Sequence, residues 1–349
     1  MPSAREAREW AAQGGLHGLG DSLYTPFSGH DGDDVDYGAY RWLVRYLVGG
    51  LGREMLWTTS GIGEWWSLTI DERKQLLEVT IEEARAIAPD TVIQACTSAA
   101  SAKDCVELTQ HAQAAGADIC YLQTPPMEVH AGEGVLRFFR YIAERTDIAL
   151  GMFNSPSSGY VLTAREMAEI YREIPAVVAV KEGVMDSTAI TAELHALAPG
   201  LQIWECDGIV YEAGWLQQGI VTPAQLGGGG YYFETPGDRR YRTYWELVWE
   251  GHLREAIAHG RESGLTRLIG SVGRWFCVYP GRSSYFTHWG AAYRYAASII
   301  GLPVGDYPHS RPPQGLLPEE GKAQIRAAYE RVGMLGAVRP DLGSHLAAV

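Results

Sequence analysis

Eight short, β-rich apolar runs recur along the first 235 residues, separated by longer segments whose apolar positions keep helical spacing. The runs lie near 19–27, 54–60, 91–98, 117–124, 147–155, 176–183, 201–208 and 224–232. The segments between them include TIDERKQLLEVTIEEARAIA and AREMAEIYREI, and Thr69, followed by Asp71 and Glu72, reads as an N-cap. Most of the runs are continuously apolar, as strands covered on both faces must be. This pattern predicts an α/β chain built as a (β/α)8 TIM barrel with additional C-terminal helices. A doubly wound sheet would carry a Gly-rich phosphate turn after its first strand, and Gly18-Leu19-Gly20 followed by Asp21 is not one. After residue 235 the strand signal fades into helical segments, among them RYRTYWELVWEGHLREAIAHG, SYFTHWGAAYRYAASIIG and a last helix near 317–333. The expected organisation is an N-terminal extension over 1–17, a barrel over 18–235, and a helical region over 236–349 packed on that barrel.

Charge and cysteine usage narrow the function classes. Lys and Arg number 29 against 42 Asp and Glu, a formal net charge of -13. Phosphate binding wants a clustered basic surface, so a nucleic-acid partner is not expected, nor an anionic membrane surface. Five cysteines form no CxxC pair, which fits a reduced, cytoplasmic protein. No stretch approaches the roughly 20 apolar residues of a membrane span, and the N-terminus lacks the apolar core of a signal peptide. The ten histidines show no HExxH or HxxEH spacing, so no metal is expected.

In such barrels the chemistry sits where the strands end. The sixth run, AVVAV, is followed directly by Lys181 and Glu182. An amine in apolar surroundings at the barrel mouth loses its proton more readily and attacks carbonyls. The alternative is that Lys181-Glu182 marks a strand leaving for solvent. Alternation along the strand puts Glu182 on the opposite face, towards helices or a loop. Tyr24, Tyr121, Glu205 and Asp207 stand at other strand ends: Tyr121 reads as a proton donor or as barrel filling, and Glu205 with Asp207, which share a face, as paired carboxylates or as a solvated exit loop. Trp57, Trp65, Trp66, Phe153 and Trp204 suit a pocket for an apolar or aromatic molecule, or the packing of the barrel mouth.

An ordered set of motifs accompanies the lysine. Thr25-Pro26-Phe27 precedes Asp33 and Asp36, and Gly63-Glu64 is followed by Leu68-Thr69 and Asp71-Glu72-Arg73. Further on come Gly116-Ala117-Asp118 with Pro125, Phe153-Asn154-Ser155-Pro156, Val180-Lys181-Glu182, Pro236, and Arg311-Pro312-Pro313. Over residues 18–335 this resembles the family of dihydrodipicolinate synthase and N-acetylneuraminate lyase, the class I pyruvate-dependent aldolases. The resemblance implies that Lys181 forms a covalent imine with a 2-oxo acid such as pyruvate, without a further cofactor. It also implies a homodimer or homotetramer.

The departures from that family are specific. Phe153 stands where the family has a proton-carrying tyrosine, and a phenyl ring neither donates nor accepts a proton. The family's Thr-Thr pair, which holds the pyruvate carboxylate, falls on Gly61-Ile62, leaving backbone N–H groups and Ser60 for that task. Met127 replaces an aromatic residue, and Ser157 or Ser158 an arginine. The expected substrate-binding set is therefore Ser60, Gly61, Ile62, Phe153, Asn154, Tyr121, Trp204 and Asp207 around the catalytic Lys181. The expected activity is a lyase of class I aldolase type acting on a pyruvate-like, apolar or aromatic 2-oxo acid. Two alternatives stay open: an imine-dependent dehydratase, decarboxylase or cyclase without aldol chemistry, and a non-catalytic metabolite-binding barrel.

Overall fold

The computed structural model describes residues 1–125, 132–155, 160–183, 188–205, 224–227, 229–273, 275 and 289–339. Its contacts fall into two compact units. One comprises Met1–Gly20, Glu54–Thr58 and Val92–Gly228, and the other Asp21–Arg53, Thr59–Thr91 and Gly229–Val349.

The first unit carries the sheet. Its strands are β1 (Gly18–Ser22, whose last two residues belong to the second unit), β2 (Met55–Thr58), β3 (Val92–Cys96) and β4 (Ile119–Leu122). They continue with β5 (Ala149–Asn154), β6 (Val177–Glu182), β7 (Gln202–Glu205) and β8 (Ala224–Gly227). All eight runs thus contain a strand. The order β8-β1-β2-β3-β4-β5-β6-β7 is sequential apart from the return of β8 to β1, and β2 through β7 pair in parallel. β7 and β8, the two ends of that order, lie side by side, which closes the sheet into a (β/α)8 TIM barrel. Every residue of β2 through β6 is buried, consistent with the unbroken apolar runs.

Helices alternate with these strands as α1 (Ala7–Ala12), α2 (Tyr37–Arg45), α3 (Ile70–Ile87), α4 (Ala102–Ala115), α5 (Glu133–Ala143), α6 (Ala164–Glu173) and α7 (Thr188–Leu197). Their boundaries have local causes. Thr69 accepts from the Glu72 backbone N–H at 3.2 Å while Glu72 accepts from the Thr69 N–H at 2.8 Å, a complete capping box at the start of α3. Thr163 and Glu166 repeat that box at α6. Gly116, at φ 108°, ends α4 in the left-handed conformation that glycine adopts without strain.

The second unit holds α2, α3 and the C-terminal helices α8 (Arg240–Trp249), α9 (Leu253–Glu262), α10 (Leu265–Gly273), α11 (Trp289–Ile300) and α12 (Glu319–Arg331). The helical run over 240–260 is two helices rather than one, broken at Gly251, φ 81°. The Gly-rich run also differs from its sequence pattern: after β8, Gly230–Tyr232 turns as a 3-10 helix. The Gly230 N–H is taken by the Asp21 carboxylate at 2.6 Å, and a Cβ on Gly230 would lie 2.2 Å from the Tyr241 ring. Gly230 thus stands where backbone and ring pack too closely for a side chain. No helix among the described residues is long and apolar enough to cross a membrane.

Candidate active site

The barrel interior is defined by which side chains meet across it. β2 and β5 are not neighbours in the sheet, yet the Trp57 and Phe153 rings meet edge to face with centroids 4.9 Å apart. β4 and β7 are not neighbours either, and Trp204 Nε1 donates to the Tyr121 hydroxyl at 2.8 Å. Trp57, Tyr121, Phe153 and Trp204 therefore point inwards. Lys181 is in register with both Phe153 and Trp204, so it shares their face. Its Nζ lies 5.1 Å from the centroid of the Phe153 ring. Only 8% of Lys181 is exposed, and the residue sits one position before the C-terminal end of β6.

The aromatic packing fixes this arrangement. The Trp57 and Tyr121 rings lie 5.2 Å apart, and such pairs stabilise by about 0.5–1.5 kcal/mol beyond the area they bury. Tyr121 passes directly over the backbone of its register partner Gly151, where a Cβ would sit 2.4 Å from the Tyr121 ring. Burial pushes the Tyr121 phenol well above its ordinary range, and the Trp204 N–H pulls in the opposite direction. The group therefore remains a protonated hydroxyl at neutral pH. A Gly151→Ala chain should lose roughly 1–3 kcal/mol, because the ring must leave its seat and release Trp204. Urea unfolding checks this, and an unchanged midpoint would mean that the ring has a second seat.

Asn154 is placed elsewhere. It alternates with Phe153 and so faces away from the interior, where Leu162 N donates to its Oδ1 at 2.8 Å. Its Nδ2 donates to the Leu162 carbonyl and to Glu182 Oε2, at 3.1 and 2.8 Å. Asn154 thus ties the ends of β5 and β6 to the chain entering α6, and Glu182 lies on that outer face with it. Asp207 lies outside the described residues.

Ser60, Gly61 and Ile62 belong to the second unit, in a turn over 59–67. All three are buried, and the Ser60 hydroxyl has no hydrogen-bond partner among the described residues. The turn contains two non-glycine residues at positive φ, Thr59 at 48° and Glu64 at 59°. Such backbone persists only where its surroundings over-determine it. Here the fully buried Glu64 carboxylate accepts from Arg294 Nη2 at 2.5 Å and Ser310 Oγ at 2.9 Å. Thr25 Oγ1 also donates to the Gly63 carbonyl at 2.8 Å. Trp65 and Trp66 pack on each other in this unit with ring centroids 6.0 Å apart.

Two residues of the barrel interior carry a signal that the strand-end search passes over. Gln94, in register with Trp57, is fully buried, and neither of its amide atoms has a hydrogen-bond partner among the described residues. The Trp57 indole N–H is likewise unpaired among them. A glutamine inside the apolar run TVIQACTS was the visible clue. Among the described residues no group of His, Cys, Asp or Glu side chains could hold a metal ion, and Cys96, Cys105 and Cys120 are buried thiols outside any disulfide.

Fold and site together define a (β/α)8 barrel with a buried lysine at the C-terminal end of its sixth strand. The model of the dihydrodipicolinate synthetase family matches residues 16–222, more than half of the chain, and the chain belongs to that family. It is 32% identical over 173 residues to the 4-hydroxy-tetrahydrodipicolinate synthase of Bacillus velezensis, covering 50% of this chain and 58% of that one. The chain thus spans little more than half the length of such curated relatives. With a DapA-like lyase of Pyrococcus furiosus, itself uncharacterised, it shares 26% identity over 322 residues, 92% of this chain and 98% of that one. The fold matches that of the Escherichia coli K12 prophage protein YagE, of the dihydrodipicolinic acid synthase family, solved in complex with pyruvate. The TM-score is 0.76 at 19% identity, over 91% of this chain and 99% of that one. Proteus mirabilis N-acetylneuraminate lyase matches with a TM-score of 0.74 at 19% identity, over 92% and 99% of the two chains.

Proposed function

We propose that this chain is a lyase of class I aldolase type that forms an imine between Lys181 and a 2-oxo acid such as pyruvate. The observation that carries the reading is the placement of Lys181: buried, inside the barrel, at the strand's C-terminal end and beside an aromatic ring. An amine there attacks the ketone, water leaves, and the protonated imine draws electrons from an adjacent bond. The apolar walls formed by Phe153, Trp57 and Trp204 suit a substrate with an apolar or aromatic portion. The buried turn at Ser60, Gly61 and Ile62 is our candidate for holding the carboxylate, through backbone N–H groups and the Ser60 hydroxyl. The reading needs no metal and no cofactor beyond the covalent imine, and it carries with it a cytoplasmic homodimer or homotetramer. The domain division into 1–17, 18–235 and 236–349 is part of the same proposal.

Borohydride trapping tests it. Pyruvate and a small panel of 2-oxo acids should leave a reduced adduct on the peptide containing Lys181, read by intact mass and peptide mapping. A folded protein that gives no adduct with any of them would overturn the proposal.

Phe153 favours a second reading, in which the imine serves dehydration, decarboxylation or cyclisation without aldol chemistry. A positioned proton carrier contributes about 10²–10⁴ in rate, and the phenyl ring cannot supply one. A Phe153→Tyr chain should therefore lose native turnover if the site is built around the ring. A gain of pyruvate aldol activity, followed by product formation from pyruvate and an aldehyde, would instead mark a damaged aldolase. A barrel that binds a metabolite without turning it over would form no adduct and show no turnover in either background.

A further inference from the structure

The barrel interior contains hydrogen-bonding capacity that its packing leaves unused. Gln94 is fully buried, and both its amide nitrogen and its carbonyl oxygen are without partners among the described residues. The Trp57 indole N–H, on the register neighbour of Gln94, is in the same state. The Tyr121 hydroxyl, whose ring lies against that of Trp57, accepts from Trp204 and so keeps its own proton to donate. Trp57 in turn meets Phe153, whose ring lies beside Lys181 Nζ. A run of side chains thus leads from the lysine to the unpaired amide, all within one compact unit.

Buried polar groups are ordinarily paired, and leaving one unpaired is costlier than replacing it by an apolar group of similar shape. A barrel filled for packing alone would place Leu or Met at position 94. The atoms also say what fits. The set offers three donor groups, the Gln94 amide, the Trp57 N–H and the Tyr121 O–H, against one acceptor, the Gln94 carbonyl. A carboxylate would leave that carbonyl facing negative oxygens, and none of these donors carries a charge to offset a buried anion. A neutral hydroxyl accepts from two of the donors and gives its proton to Gln94 Oε1.

We propose that Gln94, Trp57 and Tyr121 form a subsite inside the barrel for a neutral hydroxyl group carried by the substrate. The proposal rests on the reading of Lys181 as the imine-forming residue, because it places the hydroxyl on the same molecule as the reactive 2-oxo acid.

The test compares matched acids with and without a terminal hydroxyl: hydroxypyruvate with pyruvate, 4-hydroxy-2-oxobutanoate with 2-oxobutanoate, and 5-hydroxy-2-oxopentanoate with 2-oxopentanoate. Equilibrium binding is measured by ligand-observed NMR, and adduct formation by borohydride trapping on the same samples. At least one hydroxylated acid should bind about tenfold more tightly than its match, the worth of one or two neutral hydrogen bonds. In Gln94→Leu that preference should vanish, while trapping of pyruvate and thermal stability stay unchanged or improve. Tyr121→Phe, which keeps the ring, should shrink the preference as well. Equal binding of all three pairs by the wild-type chain would overturn the subsite and assign the polar atoms to bound water. A preference that survives in Gln94→Leu would overturn it too. A hydroxyl preference without any adduct would sink the imine reading and leave the subsite standing, whereas an adduct without preference would do the reverse.

Discussion

A Lys181→Arg chain should fold, keep a cation inside the barrel and lose imine formation entirely. The guanidinium stays protonated at any pH a protein survives, so it offers no lone pair to a ketone. Charge and position beside the Phe153 ring are retained, which separates nucleophilic chemistry from electrostatic binding of a carboxylate. Turnover of whatever 2-oxo acid the wild-type chain uses should fall by a factor on the order of 10³ or more, the scale on which removing a covalent nucleophile acts. Borohydride with pyruvate should leave the intact mass unchanged. A Lys181→Met chain is the control for folding. Methionine keeps the length and apolar stem of the lysine, so this chain should still unfold in one cooperative urea transition, whereas the bulkier arginine should cost roughly 1–3 kcal/mol of stability. If Lys181→Arg retained turnover, the nucleophile would have to be another group, and the barrel would lose its claim to this chemistry.

The barrel was legible in the sequence because β2 through β6 are buried along their whole length, so most of the eight runs are continuously apolar and each contains a strand. The same periodicity placed Lys181 inside and Glu182 outside, since neighbouring strand residues point to opposite faces. Asn154 obeys that rule as well: two positions from Met152 on the outer face, it holds Leu162 and Glu182 rather than lining the interior. Reading Asn154 as a pocket residue followed motif order where alternation would have sent it outwards. Local signals also set the helix starts, as at Thr69 and Glu72. The glutamine at 94 sits in a run that reads as an ordinary strand, and only its register with Trp57 shows that its amide is shut in with an indole N–H. Ion pairs such as Arg294 with Glu64 join residues 230 positions apart, and no local pattern encodes a pairing of that separation.

Arg53 gives the largest expected loss of stability. Its guanidinium is fully buried, with Nε 2.5 Å from Asp21 Oδ2 and Nη2 2.6 Å from Glu234 Oε1. The two carboxylates spend their other oxygens on backbone N–H groups, Asp21 on Gly230 at 2.6 Å and Glu234 on Arg242 at 2.9 Å. Removing the arginine leaves two anions enclosed without a cation, a loss of about 3–5 kcal/mol against a total domain stability of roughly 5–15 kcal/mol. An Arg53→Met chain should therefore unfold at much lower urea, or fail to accumulate as a folded protein. Its pH dependence has a definite sign. Burial already holds the Asp21 carboxyl above the ordinary range, with Arg53 and the Gly230 N–H opposing that shift, so loss of Arg53 pushes it further up. A carboxyl raised in the folded state contributes stability that is fully present below its unfolded pKa, about 3.9, and is lost as pH rises through the folded value. The deficit of Arg53→Met should accordingly be larger at pH 8 than at pH 5. Adding Asp21→Asn and Glu234→Gln removes both charges while keeping the acceptors for Gly230 and Arg242, and should recover most of the loss and flatten its pH dependence. Urea unfolding of the single and triple variants at the two pH values decides it: a pH-independent deficit that the triple variant does not repair would mean that Arg53 matters for its packing volume and not for the charges it joins.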